Sequence, residues 1–196
     1  MKILLLGPHR KELSDYLASL GDEVVRTEDR LKADSEVLDG VDFIVSYGYR
    51  YILKDDVLNR FPQRTINLHI SLLPFNRGAD PNIWSFLEDT PKGVTIHYID
   101  AGLDTGEILA QREVTFGPEE TLRSSYARLS ETIDALFCEI WPAVRERRQV
   151  SYPQPEGGSY HRMKDKAPFE HLLTRGWDTP VAELTGKALV AQEGRG

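Results

Sequence analysis

Short apolar runs alternate with amphipathic stretches through the first half of the chain. Lys2-Ile3-Leu4-Leu5-Leu6 reads as a buried strand, Leu13, Leu17 and Leu20 recur at helical spacing, and Val24-Val25 and Val41-Asp42-Phe43-Ile44-Val45 return to strand-like runs. A helix-sized segment, Lys54 to Phe61, then leads into Thr65-Ile66-Asn67-Leu68-His69-Ile70. This βαβ rhythm predicts an α/β fold, a Rossmann-like, mostly parallel sheet with helices on both faces. Such sheets place their sites at the carboxyl ends of strands. Asn67 and His69 stand where one strand runs out.

Beyond them the pattern predicts a proline-bearing loop (Leu73 to Pro81), a short helix from Asn82 to Leu87, and strands from Gly93 to Asp100 and from Glu107 to Val114. A long helix should follow from Glu119 to Arg147, with Leu122, Tyr126, Leu129, Ile133, Leu136 and Ile140 as its apolar stripe. Pro142 is expected to bend or end it. Ser151 to Gly158 reads as a loop, and Tyr160 to Leu184 has no clear period. We expect one catalytic domain over residues 1–150 and an extension, 151–196, packed on it or partly flexible.

Composition narrows the setting. At 196 residues the chain can bury its own core. Cys138 is the only cysteine, which excludes an intramolecular disulfide or a multi-cysteine metal site and suits a cytoplasmic location. The first apolar run stops at Gly7-Pro8, too short for a signal peptide or a membrane span. A formal charge of -7 opposes attraction to a nucleic-acid backbone. The expected partner is a small molecule, with neither nucleic acid nor membrane, and a homodimer is compatible with this composition.

In a strand, residues i and i+2 share a face, so Asn67 and His69 can converge on one point. An amide donor beside an imidazole suits acyl transfer to an amine: the donor stabilises negative charge growing on the carbonyl oxygen, and the imidazole handles the proton. Taken alone, a histidine at a strand end is more often structural. Asp104, before Thr105-Gly106, reads equally as a turn residue.

The surroundings shift that balance. Asn67-Leu68-His69-Ile70-Ser71-Leu72-Leu73-Pro74, then Arg77-Gly78-Ala79 and Pro81, then Gly93-Val94-Thr95-Ile96-His97, then Leu103-Asp104-Thr105-Gly106-Glu107-Ile108 closely resemble the folate-dependent formyltransferase family. That family includes glycinamide ribonucleotide, methionyl-tRNA and nucleotide-sugar formyltransferases. The resemblance implies an enzyme that moves a formyl group from 10-formyltetrahydrofolate to a primary amine without a metal. It gives Asn67 the formyl oxygen, His69 charge and proton transfer, and Asp104 the orientation of a water and the histidine.

It also implies that the pterin ring is received by the segment containing Tyr49, Arg50, Tyr51, Ile52 and Leu53 and closed over by the loop of Asp100, Ala101, Gly102, Leu103 and Asp104, chiefly through backbone groups. Arg50 and Tyr51 are equally compatible with surface residues, and Ile52 and Leu53 with core. A metal site of His69, His97 and Asp104 is disfavoured, because His97 lies in an apolar strand and its family counterpart is not a ligand.

Two departures bear on the acceptor. Ile70 stands where the family commonly has proline, and Gly7-Pro8-His9-Arg10 lacks the glycine-rich phosphate cradle of glycinamide ribonucleotide enzymes. His9 and Arg10 are candidates for an acceptor phosphate or carboxylate, or solvated loop residues. About fifty residues follow the long helix, too few for the barrel domain of methionyl-tRNA enzymes. Arg77-Gly78-Ala79 and Pro81-Asn82-Ile83-Trp84 resemble the nucleotide-sugar branch, which makes Arg77 and Trp84 candidate acceptor contacts, although a tryptophan on a short helix is usually core. The expected acceptor is a nucleotide-linked amino sugar. The alternatives are a glycinamide ribonucleotide formyltransferase-like enzyme, a 10-formyltetrahydrofolate hydrolase, and a non-catalytic folate- or nucleotide-binding module.

Overall fold

The parallel rhythm of the first half appears as β1 (Lys2–Leu6), α1 (Lys11–Ser19), β2 (Glu23–Thr27), β3 (Phe43–Ser46), α2 (Asp55–Leu58) and β4 (Thr65–His69). The structure, a computed structural model, describes residues 1–193 of the 196. Residues 194–196 of the expected extension lie outside the described residues. The second half holds β5 (Arg77–Gly78), α3 (Pro81–Leu87), β6 (Gly93–Tyr98), β7 (Ile108–Glu113), α4 (Leu122–Arg145), β8 (Tyr160–His161) and α5 (Lys187–Glu193).

A six-stranded sheet runs in the order β2-β1-β3-β4-β6-β7, and β5 and β8 form a separate parallel pair. β1 pairs in parallel with β2 and β3, and β3 with β4. At β6 the direction reverses: Ile99 at its end donates to the carbonyl of Thr65 at the start of β4 (2.9 Å). Tyr98 likewise donates to Glu107 just before β7 (2.9 Å), so β7 reverses again. The sheet is α/β, Rossmann-like and mostly parallel, as the pattern predicts.

The chain forms two compact units that interleave in sequence: residues 1–69, 96–110 and 134–154 in one, and 70–95, 111–133 and 155–196 in the other. These limits cut across the expected division at residue 150. In the first unit, alternate residues of each strand face opposite layers. Leu4, Leu6 and Ile44 pack with Val57 of α2 and with Leu53 and Phe61. The neighbouring Phe43 faces the other way, edge-on to Trp141 of α4 at 5.1 Å, a contact worth about 0.5–1.5 kcal/mol beyond burial. Helices therefore cover both faces.

Pro142 neither ends α4 nor leaves a carbonyl orphaned. The helix continues to Arg145. Proline has no N–H for the carbonyl four residues back, and that carbonyl, of Cys138, instead accepts the Tyr16 hydroxyl of α1 at 2.8 Å.

In the second unit, Ile83, Trp84, Phe86 and Leu87 of α3 pack with Leu122, Val181, Leu184 and Ala188. Asn82 ties α3 to α4 through bonds from its amide to the Leu122 carbonyl (3.2 Å) and the Ser125 hydroxyl (3.1 Å). The stretch without periodicity holds β8 and a 3-10 helix, Met163–Leu172. Gly78 has φ +89°, and a Cβ there would collide with the His161 carbonyl. That close approach lets β8 lie against β5.

Candidate active site

In the first unit, parallel pairing aligns strand ends: Leu6 is in register with Ser46, and Ser46 with Asn67. The loops after β1, β3 and β4 therefore leave the same end of the sheet. Asn67 is half-buried and His69 is 6% exposed, while Ile66 and Leu68 alternate into the core.

Asp104 reaches this point from the turn after β6. Its backbone is left-handed at φ +54°, a conformation aspartate tolerates better than most residues. A Cβ on Gly106 would collide with the Tyr98 carbonyl, so the small residue lets the turn pass tightly against the end of β6. The Asp104 carboxylate then lies 3.3 Å from Asn67 Nδ2 and 3.7 Å from His69 Nδ1. The three residues singled out from the sequence converge.

A fourth group joins them. His97 Nε2 is 3.3 Å from Asn67 Nδ2 and 3.6 Å from Asp104 Oδ1, and its Nδ1 is 2.8 Å from the Tyr98 carbonyl. That carbonyl can only accept, so Nδ1 carries a proton, and Nε2 is the ring nitrogen that faces the Asn67 amide. Sequence reasoning set His97 aside as a metal ligand; the reversal of β6, which the linear pattern does not show, places it beside Asn67. Among the described residues no group of three or more His, Cys, Asp or Glu is arranged to hold a metal ion.

The site can stabilise an oxyanion and move a proton. Asn67 presents amide N–H groups whose two bonds are long, at 3.3 Å, and so readily redirected. With Asp104 beside Nδ1 of His69, the opposite ring nitrogen is the one turned away from the carboxylate and able to exchange a proton.

The segment expected to receive a pterin splits by role. The Tyr49 hydroxyl donates to the Asp29 carbonyl (2.6 Å) and accepts from the Leu31 amide (3.0 Å), and Leu53 is buried in the core. Arg50 is exposed. Tyr51 and Ile52 are 38% and 64% exposed, an apolar surface that suits a flat heteroaromatic ring. Among Asp100, Ala101, Gly102 and Leu103, only Leu103 is half-buried. Asp100 Oδ1 accepts from the Gly102 amide (3.1 Å) and the Thr105 hydroxyl (2.7 Å), which holds the loop's shape.

His9 is exposed after β1. The Arg10 guanidinium lies 4.0 Å over the Tyr47 ring and draws down the carboxyl of Asp134, although burial dominates and lifts that group to about 6. In the second unit, Arg77 opens β5 and donates its backbone N–H to Ser159 (3.0 Å). Trp84 is 4% exposed; its ring is stacked on His161 at 3.7 Å and met edge-on by Phe169. Among these contacts it is a core residue, the outcome the short helix favours. The Glu88 carboxyl beside His161 is raised by burial, but bonds from His161 and Ser159 outweigh this and hold it below its ordinary value.

A family model described as formyl transferase matches residues 23–140. The structure resembles a crystal structure of the formyltransferase PseJ from Anoxybacillus kamchatkensis in complex with UDP-4,6-dideoxy-4-formamido-L-AltNAc and tetrahydrofolate: TM-score 0.94, 62% identity, 96% of this chain and 100% of that chain. A 4-N formyltransferase from Francisella tularensis has the same fold, with TM-score 0.75 and 22% identity over 85% of this chain and 78% of that one. Methionyl-tRNA formyltransferase from Syntrophus aciditrophicus (strain SB) is 45% identical over 156 residues, 78% of this chain and 49% of the relative. That from Solibacter usitatus (strain Ellin6076) is 45% identical over 92 residues, 46% of this chain and 30% of the relative. The chain thus spans half or less of the length of these two curated relatives. Because the matched residues cover more than half of the chain and include the converging Asn67, His69 and Asp104, the protein belongs to the formyl transferase family.

Proposed function

We propose that this protein transfers a formyl group from 10-formyltetrahydrofolate to the primary amine of a nucleotide-linked amino sugar. The observation that carries the reading is the 62% identity, across the whole length of the other chain, to a formyltransferase seen with a UDP-linked formamido sugar and tetrahydrofolate. The segment of Tyr49, Arg50, Tyr51, Ile52 and Leu53, with Tyr51 and Ile52 as its exposed apolar surface, and the 100–104 loop would hold the donor, which supplies the activated formyl group.

In this reading the acceptor amine attacks the formyl carbon, and Asn67 turns an N–H toward the oxygen as negative charge grows there. One such donor contributes about 3–4 kcal/mol. His69, held by Asp104, takes the proton released by the nitrogen, and that proton returns to the nitrogen from which the formyl group departs. No step needs a metal. Residues 1–150 would contain this chemistry, with the stretch from 151 onward as an extension of that domain. Among the described residues no helix is long and apolar enough to cross a membrane, and a single cysteine fits a cytoplasmic location.

The test is a panel of amino-sugar nucleotides, glycinamide ribonucleotide, charged initiator tRNA and free amino acids, each with 10-formyltetrahydrofolate. An amino-sugar nucleotide should give the highest kcat/KM, because a site that hydrogen-bonds its substrate rejects analogues that leave those groups unpaired. Preference for glycinamide ribonucleotide or tRNA would replace the acceptor. Rapid formate release without any amine would replace the reaction.

A further inference from the structure

The turn that carries Asp104 is clamped from outside by one side chain. Gln154 Nε2 donates to the carbonyl of Asp104 at 2.8 Å and to that of Gly106 at 2.9 Å. A carboxamide has two N–H groups pointing in different directions, one for each carbonyl. Gln154 is half-buried between the exposed Pro153 and Pro155. The segment before it is anchored: Tyr152 exchanges both backbone bonds with Ile108 (2.8 and 3.0 Å), and the Ser151 hydroxyl donates to Glu107 (2.6 Å). The strap from 151 to 154 therefore lies along the stretch that follows Asp104.

We propose that Gln154 is a positioning residue for Asp104. By bridging the carbonyls on either side of Thr105, it holds the left-handed backbone of Asp104 and thereby sets the direction of the carboxylate toward Asn67, His69 and His97. Gly106 holds the turn from the other side, against the Tyr98 carbonyl. The inference rests on reading Asp104 as part of the catalytic set.

Gln154→Glu tests donation apart from packing, since it keeps the size of the side chain but faces the two carbonyls with a carboxylate. We expect kcat to fall ~10- to 100-fold, the scale of a catalytic group displaced by about an ångström, with KM for donor and acceptor within about twofold. Gln154→Ala should fall less, since it removes the clamp without repulsion. In an Asp104→Ala background neither change should lower the residual rate further, because residues acting through one another are not additive. Unchanged kcat in Gln154→Glu, or losses that multiply in the Asp104→Ala background, would overturn the proposal.

The side-chain amide resonance of Asn67 supplies a reading independent of turnover, since it senses the carboxylate 3.3 Å away. It should move in Gln154→Glu and Gln154→Ala in the direction seen for Asp104→Ala. If the parent protein transfers no formyl group, the functional reading fails, and this resonance still decides: movement sustains the positioning role and a fixed resonance ends it.

Discussion

The carboxamide nitrogen of Asn67 lies 3.3 Å from Nε2 of His97, across neighbouring strands and thirty positions along the chain. The Tyr98 carbonyl places a proton on Nδ1, which leaves Nε2 as the nitrogen able to accept, and the Asn67 amide is oriented with its nitrogen toward His97 and Asp104. A buried imidazole thus decides which way the carboxamide faces. His97→Phe retains the ring's bulk and removes the acceptor. We expect kcat about tenfold lower, short of the loss of the donor itself, with the donor KM within about twofold. Steady-state formyl transfer checks this, and a variant as fast as the parent would show that His97 does not orient the amide.

Asn67→Ala and Asp104→Ala should each lower kcat by about 100-fold or more, the scale of one oxyanion donor or one acid-base group. Both side chains sit at the end of the sheet, outside the apolar clusters. Thermal unfolding should therefore stay near that of the parent. Near-normal turnover in either variant would remove that residue from the catalytic set.

The Tyr16 hydroxyl satisfies the carbonyl that Pro142 leaves open in α4. Tyr16→Phe should cost about 1 kcal/mol of stability, the typical net worth of one hydrogen bond, or somewhat more because the carbonyl is then unpaired. Urea unfolding measures the loss. Turnover should be unchanged, as Tyr16 is far in role from the transfer chemistry.

Burial lifts the Asp134 carboxyl to about 6, against an ordinary value of 3.8, with Arg10 opposing the shift and Glu12 adding to it. A group whose pKa is raised on folding binds more protons in the native state, so its contribution to stability is full below about 3.8 and is lost as pH rises through about 6. Asp134→Asn removes that loss. The melting temperature of the variant relative to the parent should climb between pH 4 and pH 7, and a difference that stays constant across this range would contradict the shift.

Trp84→Ala should destabilise the protein by about 3–5 kcal/mol, the usual cost of truncating a buried tryptophan. His161 and Phe169 both lose their ring partner. Calorimetric or denaturant unfolding decides between this and a pure substrate contact, which would leave stability alone and raise the acceptor KM.

Much of the first unit was legible in the linear pattern. Apolar runs located β1, β3 and β4, and a period of two put Asn67 and His69 on one face, because local backbone geometry alone decides which side chains share a side. Asp104-Thr105-Gly106 was legible as a turn. Tertiary structure decided the rest. Strand order and the reversal at β6 brought His97 to Asn67, and no local pattern encodes which strands become neighbours. Pro142 reads as a bend or an end of the helix until the Tyr16 hydroxyl, more than a hundred residues away, donates to the Cys138 carbonyl that the proline cannot satisfy. Gln154 looked like any polar residue of a proline-rich loop until the strap was laid beside the Asp104 turn. Periodicity reports the side on which a residue faces; the partner it finds there depends on contacts closed over long stretches of chain.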